Sequence, residues 1–319
     1  MRVILSAIVL VSCLVWAQAQ DSAYLPAREE GPEIPSQDDP FAFVPQGIWG
    51  LEDGRFVVSG YQYFGQPSDR QLGMVGPTGL WVIGGESPHL VLLTHKGQPL
   101  ISHAGGIAMR EQYIYIASGR DGAVYRGLWD ADAATLAVEQ VVTNPVPSSF
   151  LTVDEREGLL WVGQFYNGSS NYLDEWRRGR HHWRAVVIAY DTQTYEPQKA
   201  IAIRRKGQGM VLANGHMALS LSYGQRSDST LAVYPDPRLQ EAQERLALPS
   251  GQEIPLYLPL GRIAEHTLPP MAEEIWWDGE KGVLWMAYES AAQRRFPRVR
   301  AHHRQSHIQG YLLPQFSQP

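Results

Sequence analysis

The chain has 319 residues, 44% of them hydrophobic, with 30 Gly, 22 Pro, 15 Tyr and 10 Trp. A formal charge of −6 excludes a sequence-independent nucleic-acid binder, which needs a basic footprint. The wealth of turn-forming and aromatic residues favours strands over a helical bundle.

Residues 1–20 read as an export signal. Arg2 is the basic start, "VILSAIVLVSCLVWA" the apolar stretch, and "AQA" (17–19) a small-x-small cleavage signature before Gln20. A second pattern overlaps it. "LVSC" (10–13) resembles a bacterial lipobox, which would lipidate Cys13 and anchor the chain to a membrane. Against it, the following "LVWA" is still apolar, unlike a polar lipoprotein tether. Cys13 is the only cysteine, so cleavage after "AQA" rules out a disulfide framework, a thiol nucleophile and Cys-ligated zinc. No later apolar run reaches the ~18–20 residues that cross a bilayer. The expected location is secreted or periplasmic.

Residues 21–44 form an acidic, proline-containing leader, a tail or a strap. From Pro45 to the C-terminus one domain is expected, because one pattern returns five times: an apolar strand, a tight polar turn, a second apolar strand. The copies are "GIWGLEDGRFVVSGY" (47–61), "GGIAMREQYIYIASG" (105–119), "FLTVDEREGLLWVGQF" (150–165), "GQGMVLANGHMALSLSY" (207–223) and "EEIWWDGEKGVLWMAYES" (273–290). Asp53-Gly54 and Asn214-Gly215 are strong hairpin signals. The copies recur every ~45–65 residues, the spacing of propeller blades. Further strand-like segments between them bring each copy to about four strands. The expected fold is therefore all-β, a β-propeller of four-stranded blades. The count gives five blades, or six if one has diverged too far to be read. "IQGYLL" (308–313) or the leader would close the ring. "DPRLQEAQERLAL" (236–248) reads as a helix within a loop of the fourth blade.

Superposing the copies aligns Gln46, Gly105, Ser149, Gln208 and Glu273 at the start of the inner strands. The return strands end at Tyr61, Ser118, Gln164, Ser222-Tyr223 and Glu289. Both sets ring one mouth of a central channel, and His103, in "SHAGGIAM" (102–109), faces it. Gln46, His103, Gln164, Gln208, Ser222 and Glu273 are thus candidate ligand-binding residues. An acid ending an apolar strand, as Glu289 does, must meet water, a cation or hydrogen-bond donors. His103 and Glu289 are candidate catalytic groups, as general base or acid. Glu273, Glu274 and Glu289 are candidate ligands for one divalent cation such as Ca²⁺. A set of water-satisfying channel residues explains the same pattern, and the residues alone leave these readings open.

Other motifs fail. There is no G-x-S-x-G elbow, P-loop or G-x-G-x-x-G. In "HHRQSH" (302–307) Arg304 stands where a zincin needs its glutamate. "RRFPRVRAHHRQSH" (294–307) and "EWRRGRHHWR" (175–184) are basic loops, solvated or anion-binding. "NGS" (167–169) is a glycosylation sequon.

"PQG" (45–47), "HAGGIA" (103–108), "SFLTVD" (149–154), the 207–234 segment and "LPPMAEEI…LWMAYES" (268–290) resemble, in order, a family of exported bacterial propeller proteins that brings no assigned activity. More distantly, the arrangement is similar to gluconolactonase-like propellers, in which channel carboxylates hold a metal. That resemblance implies a lactonase- or esterase-type hydrolase. Its ligand set has no residue-by-residue match here beyond Glu273, Glu274 and Glu289. The expected function is binding of a small polar molecule, or an extracytoplasmic protein, at the mouth. The alternatives are metal-dependent hydrolysis, or a structural propeller acting through its surface.

Overall fold

In the computed structural model, residues 24–36, 42–63, 76–119, 121–168, 183–293 and 295–316 are described. The export segment, Cys13, Trp176 and Arg294 lie outside them. The first described strand, β1 (Glu29–Glu33), belongs to the leader. It pairs with a strand from the opposite end of the chain, as set out below.

Five antiparallel units follow. The first contains β2 (Ala42–Gly50), β3 (Phe56–Tyr63), β4 (Thr78–Ile83) and β5 (His89–His95), with a two-residue β6 (Gln98–Pro99) at its margin. The second contains β7 (Gly106–Arg110), β8 (Tyr113–Ala117), β9 (Ala123–Leu128) and β10 (Thr135–Thr143). The third is β11 (Ser148–Asp154), β12 (Leu159–Gln164), β13 (Ala185–Asp191) and β14 (Pro197–Ile203).

The fourth begins with β15 (Gly207–Ala213), β16 (His216–Leu221) and β17 (Ser229–Pro235). A hairpin, β18 (Glu244–Ala247) and β19 (Glu253–Tyr257), interrupts it before β20 (Ala264–Leu268) completes the sheet. The fifth is β21 (Ala272–Asp278), β22 (Val283–Tyr288) and β23 (His307–Tyr311), with β1 as its outermost strand. The chain is a five-bladed β-propeller. Both closure candidates are used, because the leader strand pairs directly with the strand inside "IQGYLL", Glu29 opposite Gly310 and Glu33 opposite His307.

The hairpin turns fall where the sequence placed them. Asn214 and Gly215 both adopt left-handed backbone, φ +49° and +74°, the signature of a turn whose twist matches its strands. Strands such as β12 (LLWVGQ) and β22 (VLWMAY) are buried throughout because both faces of a blade pack on neighbouring blades.

Among the described residues the core divides into six clusters, five of them at successive blade–blade interfaces and a smaller one, with Val44, Tyr61 and Met271, where the first and fifth blades join. Leu80, Val91, Ile107 and Ile116 join the first two blades, and Leu151, Leu160 and Val186 pack with Ala108 and Tyr115 at the next. Trp161 and Ile201 meet Met210 and Leu219. Val211 and Leu231 meet Ile275 and Tyr288. Ile34, Phe43, Ile48 and Phe56 meet Trp285 and Ile308 to close the ring.

Two of the outer edges are covered by a further strand, one way to keep a sheet edge from associating. β10 pairs in parallel with β5 across two blades. β19 pairs in parallel with β14 of the third blade. This corrects the expected helix at 236–248. Only Pro237–Leu239 forms a 3₁₀ turn, capped by Asp236, and β18 follows with Leu246 buried. Pairing with β19, itself docked on β14, outweighs local helix propensity. Arg238 pins the turn, donating to Asp236 (Nε to Oδ1, 3.0 Å) and pairing with Asp154 and Glu157 of the third blade. The domain boundary also shifts: β2 starts at Ala42, and the leader contributes a blade strand.

Candidate functional site

The inner strands β2, β7, β11, β15 and β21 pack side by side around the axis. Small residues allow this. A Cβ added at Gly106 would lie 2.2 Å from Glu274 Oε1 and 2.6 Å from Phe150 Cα, distances no real side chain tolerates.

Glu274 occupies the centre of that ring. Its Oε2 accepts the N–H of Ile48 at 2.9 Å and of Ile107 at 2.8 Å, and its Oε1 accepts that of Leu151 at 2.9 Å. One carboxylate from the fifth blade thus ties together the inner strands of the first three. Burial pushes this carboxyl upward, and the three N–H donors oppose that shift.

At one mouth of the channel lies a cavity of about 560 Å³ lined by Gln46, His103, Ser149, Gln208 and Glu289, among others. Each blade contributes one of these polar groups. Phe165 and Tyr223 form an aromatic side to it, their ring centroids 5.9 Å apart.

The segment "SHAGG" sets His103 in place through its own short hydrogen bonds. The Ser102 hydroxyl donates to Ser118 O and accepts the N–H of Ala104, while His103 N–H donates to the same Ser118 carbonyl at 3.2 Å. Ala104 turns into left-handed backbone, φ +49°, and its carbonyl accepts the Ser59 hydroxyl. The imidazole then stacks edge-on to Tyr61, centroids 5.0 Å apart. A histidine stands at this strand start because the turn before Gly105 throws its side chain into the mouth.

Glu289 opens the short 3₁₀ turn that follows β22. Gln46 Nε2 donates to its Oε1 at 3.0 Å. Burial raises its pKa to about 7, against the opposing pull of the Gln46 amide and the Arg295 charge. Glu273 lies beneath, nearly fully buried, and accepts Gln208 Nε2 at 3.1 Å. Burial, and then the negative fields of Glu289 and Glu274, hold its carboxyl well above the usual range. Of these two Gln–Glu pairs, Gln46, Glu289 and Gln208 line the cavity and Glu273 lies below it.

Several expected site residues are placed elsewhere. Gln164 is fully buried and its Oε1 accepts the N–H of Val186, so it supports the third blade. Ser222 accepts the Ser229 hydroxyl at 2.9 Å and lines a neighbouring cavity instead. The trio Glu273, Glu274 and Glu289 does not form a cation site. Both Glu274 oxygens are taken by backbone N–H donors. Among the described residues, no group of three or more His, Cys, Asp or Glu is placed to hold a metal ion. Alternation and spacing mark strand ends, but not which of two adjacent glutamates points to the axis.

Sequence reasoning put Tyr223 at a return-strand end on the mouth without counting it as a ligand-binding residue, and it missed Phe165, one residue beyond the end of β12. It also missed Arg304, which donates to Ser290 O, Phe296 O and Val299 O. Arg304 therefore folds the 290s loop down rather than standing in solvent.

No family model matches this sequence, and no curated protein sequence matches it. Among solved structures, the chain is similar to RS223-Beta-xylosidase, with 11% identity over 90% of this chain and 98% of that one and a TM-score of 0.50. It is also similar to glutaminyl cyclase from Myxococcus xanthus, with 11% identity, 90% and 97% covered, and TM-score 0.44. A third is the PQQ-bound aldose sugar dehydrogenase from Streptomyces coelicolor, with 13% identity, 83% and 78% covered, and TM-score 0.45. At such identities the likeness concerns the fold alone.

Proposed function

We propose that the protein is an exported propeller that binds a small polar molecule in the mouth cavity. One observation carries this reading: five polar groups, one from each blade, converge on a single cavity of about 560 Å³, a volume that suits a small ligand. The two Gln–Glu pairs supply both donors and acceptors, and Phe165 and Tyr223 offer an apolar face. Hydroxyl-rich, uncharged molecules match that mixture. The test is a thermal-shift and calorimetric screen of such compounds on the mature protein. Gln46→Ala with His103→Ala should abolish any binding found; unchanged affinity in that double variant would sink the proposal.

A second reading is favoured by Glu289 alone. A carboxyl titrating at about 7 beside a histidine in a cavity has the pKa that general acid–base catalysis requires. Glu289 would transfer the proton, with the carboxyl of Glu273 beneath it held above its usual range by burial. Hydrolysis of lactones or esters would then titrate with a single apparent pKa near 7, vanish in Glu289→Gln and ignore chelators.

A further inference from the structure

Beside the mouth lies a second cavity, of about 540 Å³, between the third and fourth blades. Its lining includes Arg184, Arg204, Arg205 and Lys206, with Asp228 as its acidic member. A chain of net charge −6 has gathered four cations around one hollow. Glu265 engages Arg204 at 2.6 Å, and Asp228 accepts the Tyr24 hydroxyl at 2.8 Å. Arg205 is exposed, and neither Arg205 nor Lys206 forms an ion pair among the described residues. Two positive charges, Arg205 and Lys206, therefore face the hollow without an ion-pair partner among the described residues.

The backbone makes this placement systematic. Lys206 lines the basic cavity and Gln208, two residues on, lines the mouth. After β12, Phe165 and Asn167 face the mouth, while Tyr166 and Gly168 face the basic cavity. Alternation sends the side chains of 165–168 into two adjoining compartments, whereas Lys206 and Gln208, two residues apart, part at the left-handed backbone of Lys206 and the register shift between Gly207 and Gly209; Tyr223 lines both cavities. Lys206 Nζ stands 5.6 Å from the Tyr223 ring, and the left-handed backbone of Lys206, φ +70°, turns the chain there. Its N–H donates to Tyr166 O and its carbonyl accepts the N–H of Ser222, both at 2.9 Å, so the position is fixed.

From this we infer that the basic cavity is an oxyanion site, taking a phosphate, sulfate or carboxylate group. Guanidinium groups fork around such anions and an ammonium adds a point charge. This assignment is independent of the mouth reading. The anion is either free or the acidic group of a molecule whose remainder reaches the mouth past Tyr223.

The test is calorimetric titration of inorganic phosphate into the mature protein at low ionic strength. Binding should weaken as salt rises. It should fall about tenfold or more in an Arg205→Gln/Lys206→Gln double variant. It should strengthen severalfold in Asp228→Asn, which keeps an acceptor for Tyr24. Gln46→Ala should leave phosphate binding unchanged, which separates this site from the mouth. Glucose 6-phosphate binding tighter than phosphate, with the gain lost in Gln46→Ala, marks the anion as part of a larger molecule; equal affinities mark a free anion. The inference is overturned if phosphate does not bind, or if its affinity is the same in the wild type and both charge variants.

Discussion

Glu274 on β21 and Leu151 on β11, 123 residues apart, are joined by a 2.9 Å hydrogen bond from the Leu151 N–H to Oε1. With Ile48 and Ile107 on the other oxygen, this carboxylate does for the channel what a ring of paired strands cannot. Inner strands of neighbouring blades pack with their backbones close, and some of their N–H groups have no ladder partner. Unpaired, each would carry a desolvation cost of about 1–3 kcal/mol.

Glu274→Gln is the direct test. The amide keeps one acceptor oxygen and turns an NH₂ donor toward an N–H. We expect destabilisation of about 2–4 kcal/mol, read as a lower denaturant midpoint at unchanged m-value. Mouth binding should be affected far less. A variant as stable as the wild type would show that the staple is dispensable.

Gly106→Ala should be severe, because the new methyl group would overlap Glu274 Oε1 and the backbone of Phe150. Gly54→Ala provides the contrast. Its Cβ meets nothing within 4 Å, although φ is +85°, so only the strain of a left-handed alanine, about 1 kcal/mol, is expected. Comparing the two unfolding temperatures separates crowding at the axis from strain at a turn.

Stability should depend on pH through Glu289. Its carboxyl rises from 4.5 to about 7 on folding, so between those values the folded chain binds more protons than the unfolded one. Stability is therefore highest below about pH 4.5 as far as this group is concerned, and is lost as pH rises through about 7. Glu273, also raised, pushes in the same direction. Glu289→Gln should flatten the curve between pH 5 and 8, by up to a few kcal/mol. A wild-type curve that rises across this interval would contradict the burial of these acids.

Closure of the ring can be probed at Ile34, which is 1% exposed and packs against the first and fifth blades. Ile34→Ala should cost about 2–4 kcal/mol. Removing the leader through Glu33 should do more, since it strips β1 from β23 and bares a sheet edge. Earlier thermal unfolding with aggregation is the expected result, and unchanged behaviour would mean that β23 closes the fifth blade alone.

The sequence by itself determined the propeller class and the hairpins, pointed to five blades while leaving six open, and put Gln46, His103, Gln208 and Glu289 toward one mouth of the ring. Those follow from local rules: apolar runs of strand length, turn residues tolerant of left-handed backbone, and a repeated spacing. Only the tertiary structure decided which candidates reach solvent. Gln164 and Glu289 end equivalent strands, yet one is sealed between blades and the other opens to the mouth, because a 3₁₀ turn rather than a straight exit follows β22. Nor could spacing reveal that Glu274 accepts three backbone N–H groups, or that the segment after Asp236 would form a hairpin whose second strand, β19, pairs with β14 of the third blade. These outcomes depend on which distant backbone groups are left unpaired once the ring closes, and no local pattern records that.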